Sequence, residues 1–211
     1  MIYFTGCDGT GKTTHAKLVL HYLTKIGIKA VYTNVKIHHV LSYILLTLWL
    51  RYNNSVILYI GSKAIHRART AWLLLELLSI IPALLFRVFI YMALGYIIVC
   101  DRYVVDTITT LSLFLNYKAL LHSSIAIAFI KLVPKQSLVI FLDADTNTIL
   151  NRKYYEALTH SIVDYYRKAY SILFKMFRTM NYNVIYIRTD KHSIAETFKI
   201  YVRYLKQYLH A

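Results

Sequence analysis

Residues 6–20 read GCDGTGKTTHAKLVL. Gly6, Gly11, Lys12 and Thr13 satisfy the pattern G-x-x-x-x-G-K-[ST], with an apolar strand-like run before them (MIYFT, 1–5) and a helical pattern after (Thr13 to Ile26, Gly27 placed to cap its end). Glycines here let successive backbone N–H groups turn inward around a phosphate. The helix N-terminus adds its positive dipole end, Lys12 reaches the outer phosphates, and the Thr13 hydroxyl is placed to ligate magnesium. Phosphoryl transfer is mostly positioning and charge neutralisation, so this cradle identifies the donor side only.

Outward from the cradle, short apolar runs alternate with longer helical patterns. IKAVYT (28–33), YIIVC (96–100), SLVIFLD (137–143) and NVIYI (183–187) join MIYFT as buried strands. Near-continuous apolar strands separated by helices predict a parallel sheet covered on both faces, hence an α/β fold of the P-loop NTPase class with five parallel strands. Helices are expected at 13–26, 41–50, 55–94 with a break or kink near Pro82, 104–116, 119–132 and 161–180. SIAE, from Ser193 to Glu196, reads as a capping box opening the last one. With only 2 Pro and 6 Gly and no linker or repeat, the 211 residues are read as one domain carrying a short lid at about 150–162.

Charge narrows the partners. The chain carries 25 Lys and Arg against 10 Asp and Glu, a formal charge of +15, which favours anionic ligands. The basic residues are scattered and never form a block, so they make a general field around a site. Two cysteines, Cys7 and Cys100, cannot make a disulfide framework, and Met1 already begins a strand, so a cytoplasmic setting is expected. The cysteines are expected to lie near each other if their strands pair. The apolar stretch TAWLLLELLSIIPALLFRVFIYMALGYIIVC is interrupted by Glu76, Pro82 and Arg87, and its uncharged pieces fall short of the roughly 20 residues that a spanning helix needs. It reads as a core helix or a subunit interface, with no transmembrane segment.

The second constellation is CDRYVVDTI, from Cys100 to Ile108, directly after the third strand. Ligands of doubly wound sheets collect beyond the carboxyl ends of the strands, so Asp101 and Arg102 should face the same crevice as the cradle. Asp101 can hold a magnesium shell, and Arg102 offers a planar fork for a second phosphate. A surface ion pair is the plain alternative.

Together TGCDGTGKTT, CDRYVVDT and, more loosely, LVIFLDADTNTILNR and DYYRKAYSILF resemble the thymidylate kinase family of nucleoside monophosphate kinases. The resemblance implies ATP and Mg²⁺, transfer of the γ-phosphate to dTMP, a five-stranded parallel sheet and a homodimer packed through apolar helices. It places ATP on Gly6, Cys7, Asp8, Gly9, Thr10, Gly11, Lys12, Thr13 and Thr14, and magnesium on Thr13 and Asp101. Asp8 would accept a hydrogen bond from the acceptor sugar. Arg102 would grip the acceptor phosphate, with Tyr103 and Tyr170 on the acceptor side. Some members carry a catalytic arginine just after the loop acid; Gly9 stands there, so Arg152, with Lys153, would supply the lid cation. The usual Arg-Glu-Pro-Gly segment after the second strand is replaced by YTNVKIHHV, leaving Lys36 as a substitute. Base recognition maps onto Tyr59 and Lys63, with Arg67 and Arg69 as alternatives.

Three rivals stay open on the sequence. A deoxynucleoside kinase shares the cradle, but it needs a general base, and YTNVKIHHV holds no carboxylate. A nucleic-acid-acting ATPase would use Asp143 at the end of LVIFLD for magnesium, but no Asp-Glu pair closes either apolar strand, and nucleic acid is not the expected partner. A membrane-attached nucleotide-binding module is the third.

Overall fold

Five apolar runs become five parallel strands in the computed structural model, which describes residues 1–35, 69–156 and 158–210. They are β1 (Ile2–Gly6), β2 (Ala30–Thr33), β3 (Ile97–Asp101), β4 (Leu138–Asp143) and β5 (Asn183–Arg188), in the order β2-β3-β1-β4-β5. Parallel neighbours need crossovers, and helices supply them. These are α1 (Lys12–Lys25), α2 (Arg69–Leu84), continued by a π segment (Leu85–Phe89) and α3 (Ile90–Ala93), then α4 (Val104–Phe114), α5 (Ser124–Lys131), α6 (Thr146–Arg152), α7 (His160–Thr179) and α8 (Ile194–His210).

Side-chain alternation along the strands divides the core in two. Tyr3, Ile98, Cys100, Val139 and Phe141 pack on one face with Val104, Ile108, Phe129, Leu173 and Phe177. Ile2, Phe4, Val99, Ile140 and Leu142 pack on the other with Ala16, Val19 and Leu23 of α1 and Tyr201 and Leu205 of α8. Each such burial contributes about 1.5–3 kcal/mol, and both faces are dry, which is why the strands read as unbroken apolar runs.

Register then builds the crevice. β1 pairs with β3 on one side (Phe4 opposite Asp101) and with β4 on the other (Gly6 opposite Leu142), so the loop after β1 rises between two carboxyl-terminal strand ends. Gly6 is required there. At φ +143°, a Cβ would stand 2.0 Å from the Leu142 carbonyl oxygen.

Several boundaries differ from the sequence reading for physical reasons. The helix expected at 119–132 is a 3₁₀ turn (Lys118–His122) followed by α5, because Ser123 is extended and its hydroxyl accepts the Ala126 N–H at 3.2 Å as an N-cap. Past Pro82 the helix widens into its π segment, which keeps Ile80, Leu84 and Val88 at four-residue spacing on the core. The two cysteines are not neighbours. Cys100 lies opposite Tyr3 in the register, four residues before Cys7 in the chain, and both are buried free thiols.

Thr70–Ala93 is long and apolar enough to cross a membrane by length and composition, and it is the one such helix among the described residues. Its inner side (Leu73, Ile80, Leu84, Val88) is buried in the core, while Leu74, Leu78, Ile81, Leu85 and Phe86 face outward. The expected helix at 41–50 and the start of the 55–94 region lie outside the described residues, as do Lys36, Tyr59, Lys63, Arg67 and the side chain of Arg69.

Candidate active site

The phosphate loop is closed around its lysine. Lys12 is 4% exposed, and its Nζ donates to the carbonyls of Gly6 (2.7 Å) and Cys7 (2.9 Å) and to Asp8 Oδ1 (3.1 Å). Thr10 supports the turn from inside, its hydroxyl donating to the Cys7 carbonyl at 2.7 Å. From the far side of the crevice Arg102 donates through Nη2 to the same Asp8 Oδ1. Asp8 is therefore clamped between two cations that arrive from different strand ends. Partial burial pushes its pKa up, but Lys12 and Arg102 outweigh that and hold it down at about 2.

Asp101 closes β3 and is fully buried. Its Oδ2 accepts from the Thr13 hydroxyl (2.5 Å) and from Tyr32 (2.9 Å), while Oδ1 is buried without a hydrogen-bond partner among the described residues. A buried carboxylate oxygen left unpaired is costly, and a hydrated cation would satisfy it. No cluster of three His, Cys, Asp or Glu side chains forms an all-protein metal site among the described residues. Magnesium at phosphate sites uses one or two protein oxygens with phosphates and waters, so the Thr13–Asp101 pair fits such an ion.

Arg102 occupies the left-handed region at φ +71°, a cost of order 1 kcal/mol for a non-glycine residue. Its backbone is pinned from both sides: its N–H donates to the Phe4 carbonyl (3.2 Å) and its carbonyl accepts from Val35 N–H (3.2 Å). That turn sends the guanidinium toward Asp8 and the next side chain into the core. That side chain is Tyr103, expected on the acceptor side. It is 0% exposed, packs edge-on against Tyr3, and donates its hydroxyl to the Leu132 carbonyl.

The sequence reading missed Asp106. It sits in the first turn of α4, buried, and accepts from Tyr3 Oη (2.8 Å), Thr5 Oγ1 (3.1 Å), the Tyr103 N–H (3.1 Å) and Tyr170 Oη (3.0 Å). Burial pushes its pKa up, against the pull of Lys12 and Arg102. It joins β1, α4 and α7 beneath the crevice, and Tyr170, expected at the acceptor base, is committed to it and 8% exposed. The available signal was an acid three residues into a helix, the position that caps the first N–H groups.

A cavity of about 470 Å³ extends from the loop (Asp8 to His15) past Arg102 and Arg152 to Thr189, His192 and Ser193. Its size suits a nucleotide. Arg152 spans it, donating to the Gly9 carbonyl (3.1 Å) and to the Thr189 hydroxyl and carbonyl (both 3.2 Å), so it stands against the loop and the end of β5. The Lys153 stem covers Gly9, where a Cβ would meet its Cγ at 3.1 Å, and its Nζ pairs with Glu156 at 2.5 Å. The lysine stem thus fills the space that a loop side chain would need. Asp143, the acid that a nucleic-acid ATPase would use for magnesium, has both carboxylate oxygens engaged here. Arg167 binds both of its oxygens at 3.0 Å and Tyr186 donates at 2.6 Å.

No family model matches the chain, and no curated protein matches it in sequence. Among solved structures, the thymidylate kinase from Ehrlichia chaffeensis is similar over 98% of this chain and 97% of its own, with a TM-score of 0.57 and 18% identity. At that identity the likeness shows the fold: a five-stranded parallel sheet of the P-loop NTPase class with helices around it.

Proposed function

We propose that the chain is an ATP- and Mg²⁺-dependent nucleoside monophosphate kinase that transfers the γ-phosphate of ATP to dTMP, giving ADP and dTDP. The observation that carries this reading is the convergence of Lys12 and Arg102 on one oxygen of Asp8. Lys12 belongs to the donor cradle and Arg102 to the opposite strand end. Two phosphate-seeking cations reach a single point from two sides, as a site that brings two phosphates together requires.

The acids of the chain argue the same way. There are 10, and none lies between Asp8 and Glu76, so the segment after β2 holds no carboxylate to take a proton from a sugar hydroxyl. Asp8, its pKa held near 2, is a weak base. Asp101 has Oδ2 engaged by Thr13 and Tyr32 and, in this reading, Oδ1 turned to the magnesium shell, and Asp106 is buried with four donors. A hydroxyl acceptor needs a general base, whereas a monophosphate arrives already anionic.

In this reading Lys12 and the loop N–H groups hold the β- and γ-phosphates, and Thr13 and Asp101 hold the magnesium shell. Bound magnesium supplies charge neutralisation on those phosphates. Arg102 grips the acceptor phosphate. As the acceptor docks, Asp8 leaves the arginine and becomes free to accept a hydrogen bond from the sugar. Arg152 steadies the nucleotide against β5. The dTMP assignment is supported by the fold shared with a thymidylate kinase and by the quoted motifs. The outward apolar side of α2 and its π continuation supports a homodimer, with a second copy covering Leu74, Leu78, Ile81 and Leu85; light scattering at micromolar concentration should give twice 24.7 kDa, and a monomer mass would contradict it.

The test of the acceptor assignment is Arg102→Ala. It should raise the Michaelis constant for the monophosphate far more than that for ATP. An unchanged acceptor constant would overturn the role of Arg102.

A further inference from the structure

Helix α1 carries a buried histidine that the transfer step does not use. His15 is 2% exposed, yet it lines the cavity together with Gly11, Arg152, Thr189 and Thr197. On its inner side Nδ1 lies 3.1 Å from the Tyr201 hydroxyl, and the two rings meet edge to face with centroids 5.6 Å apart. Tyr201 is fully buried, and its hydroxyl has no other hydrogen-bond partner among the described residues.

A buried phenol of this kind keeps its proton, since burial pushes its pKa up. It therefore donates, and the one acceptor within reach is His15 Nδ1. An imidazole nitrogen that accepts a hydrogen bond bears no proton, so a ring that accepts from Tyr201 is neutral. A neutral ring that accepts at Nδ1 carries its proton on Nε2. That edge borders the loop: a Cβ placed at Gly11 would be 3.5 Å from Cδ2 and 3.8 Å from Nε2. Gly11 precedes the first turn of α1, and Lys12 takes the outer phosphates. The cavity wall one turn further, between Gly11 and Arg152, then faces the inner half of the donor.

We propose that His15, its tautomer set by Tyr201, is a donor-nucleotide binding residue. Its Nε2–H donates to a ribose oxygen of a nucleoside triphosphate. This rests on the reading that the cavity takes such a nucleotide, and it adds an uncharged donor that discriminates a nucleotide from bare polyphosphate.

The experiment is equilibrium binding of ATP–Mg²⁺ and of inorganic tripolyphosphate–Mg²⁺ to the full chain and to His15→Phe and Tyr201→Phe. One lost hydrogen bond predicts about a 3- to 10-fold weaker affinity for ATP in His15→Phe, with tripolyphosphate unchanged. Tyr201→Phe, which frees the tautomer but keeps the ring, should weaken ATP by a smaller factor and again spare tripolyphosphate. Nitrogen chemical shifts of His15 in the wild-type chain should show the proton on Nε2. Equal losses for both ligands, no loss for ATP, or a proton on Nδ1 would overturn the proposal. Should His15→Phe fail to fold, Tyr201→Phe and the shifts decide it. None of these measurements involves an acceptor. A chain that binds ATP through His15 but phosphorylates no monophosphate would sink the kinase reading and leave this one standing.

Discussion

The two halves of the crevice are built differently. The half that the proposed function gives to the donor is mostly backbone and near neighbours in sequence, the turn from Gly6 to Thr14 and the dipole end of α1, with Arg152 laid across it from 143 residues away. The half that it gives to the acceptor is made of side chains from distant segments, Arg102 from the end of β3 meeting Asp8 from the loop, 94 residues apart in the chain. A backbone cradle survives substitution of most of its side chains, because its donors are amides. A side-chain clamp is lost with one residue, and it changes specificity with one residue.

Four outcomes would break or sharpen that contrast. The largest is Lys12→Ala, which removes a charge that the amides cannot replace. Transfer should fall by about 10³-fold or more with ATP still bound weakly, measured as ADP release. A loss below tenfold would mean that the backbone alone does the work. The next is a dry donor wall read through pH. His15 titrates at about 4 in the folded chain against an ordinary 6.5, so between those values the unfolded chain takes up a proton that the folded one refuses. Stability should therefore fall by roughly 3 kcal/mol as pH drops from 6.5 to 4. In His15→Phe, chemical denaturation across that window should show a shallower fall; an identical slope would mean that the ring is wet.

Arg102→Ala comes third and addresses the acceptor half alone. Loss of one charge-assisted contact predicts an acceptor Michaelis constant raised about 10- to 100-fold, with ATP affinity within about twofold. Equal damage to both ligands would erase the distinction between the halves. The smallest is Tyr103→Phe, which removes one hydrogen bond to the Leu132 carbonyl. It should cost about 1 kcal/mol of stability in denaturant titration and leave both Michaelis constants alone. A raised acceptor constant would return Tyr103 to the site.

The same contrast explains what could be read from the chain. All five strands were legible because a sheet buried on both faces forces unbroken apolar runs, and the cradle was legible because its glycines answer to local backbone geometry. Arg102 and Asp101 followed from the end of a strand. The directions of the Tyr103 and Tyr170 side chains were not legible because they depend on the left-handed turn at Arg102 and on the buried carboxylate of Asp106, neither of which has a periodic signal. The break at Ser123 was hidden for a similar reason: apolar residues on both sides of it read as one helix, and only the extended backbone of the cap separates them. His15 stood in plain view inside the quoted motif. Its partner Tyr201 lies 186 residues away, so the pair becomes visible only when α8 packs on α1.

The central claim is that a phosphate bound by Lys12 passes to a phosphate bound by Arg102. The most direct measurement is ADP release from ATP–Mg²⁺ against a panel of nucleoside monophosphates and the matching nucleosides, with an acceptor-free control. The account predicts turnover with a monophosphate, dTMP foremost, and none with nucleosides or with no acceptor. Turnover with nucleosides only, or ADP release that needs no acceptor, would contradict it.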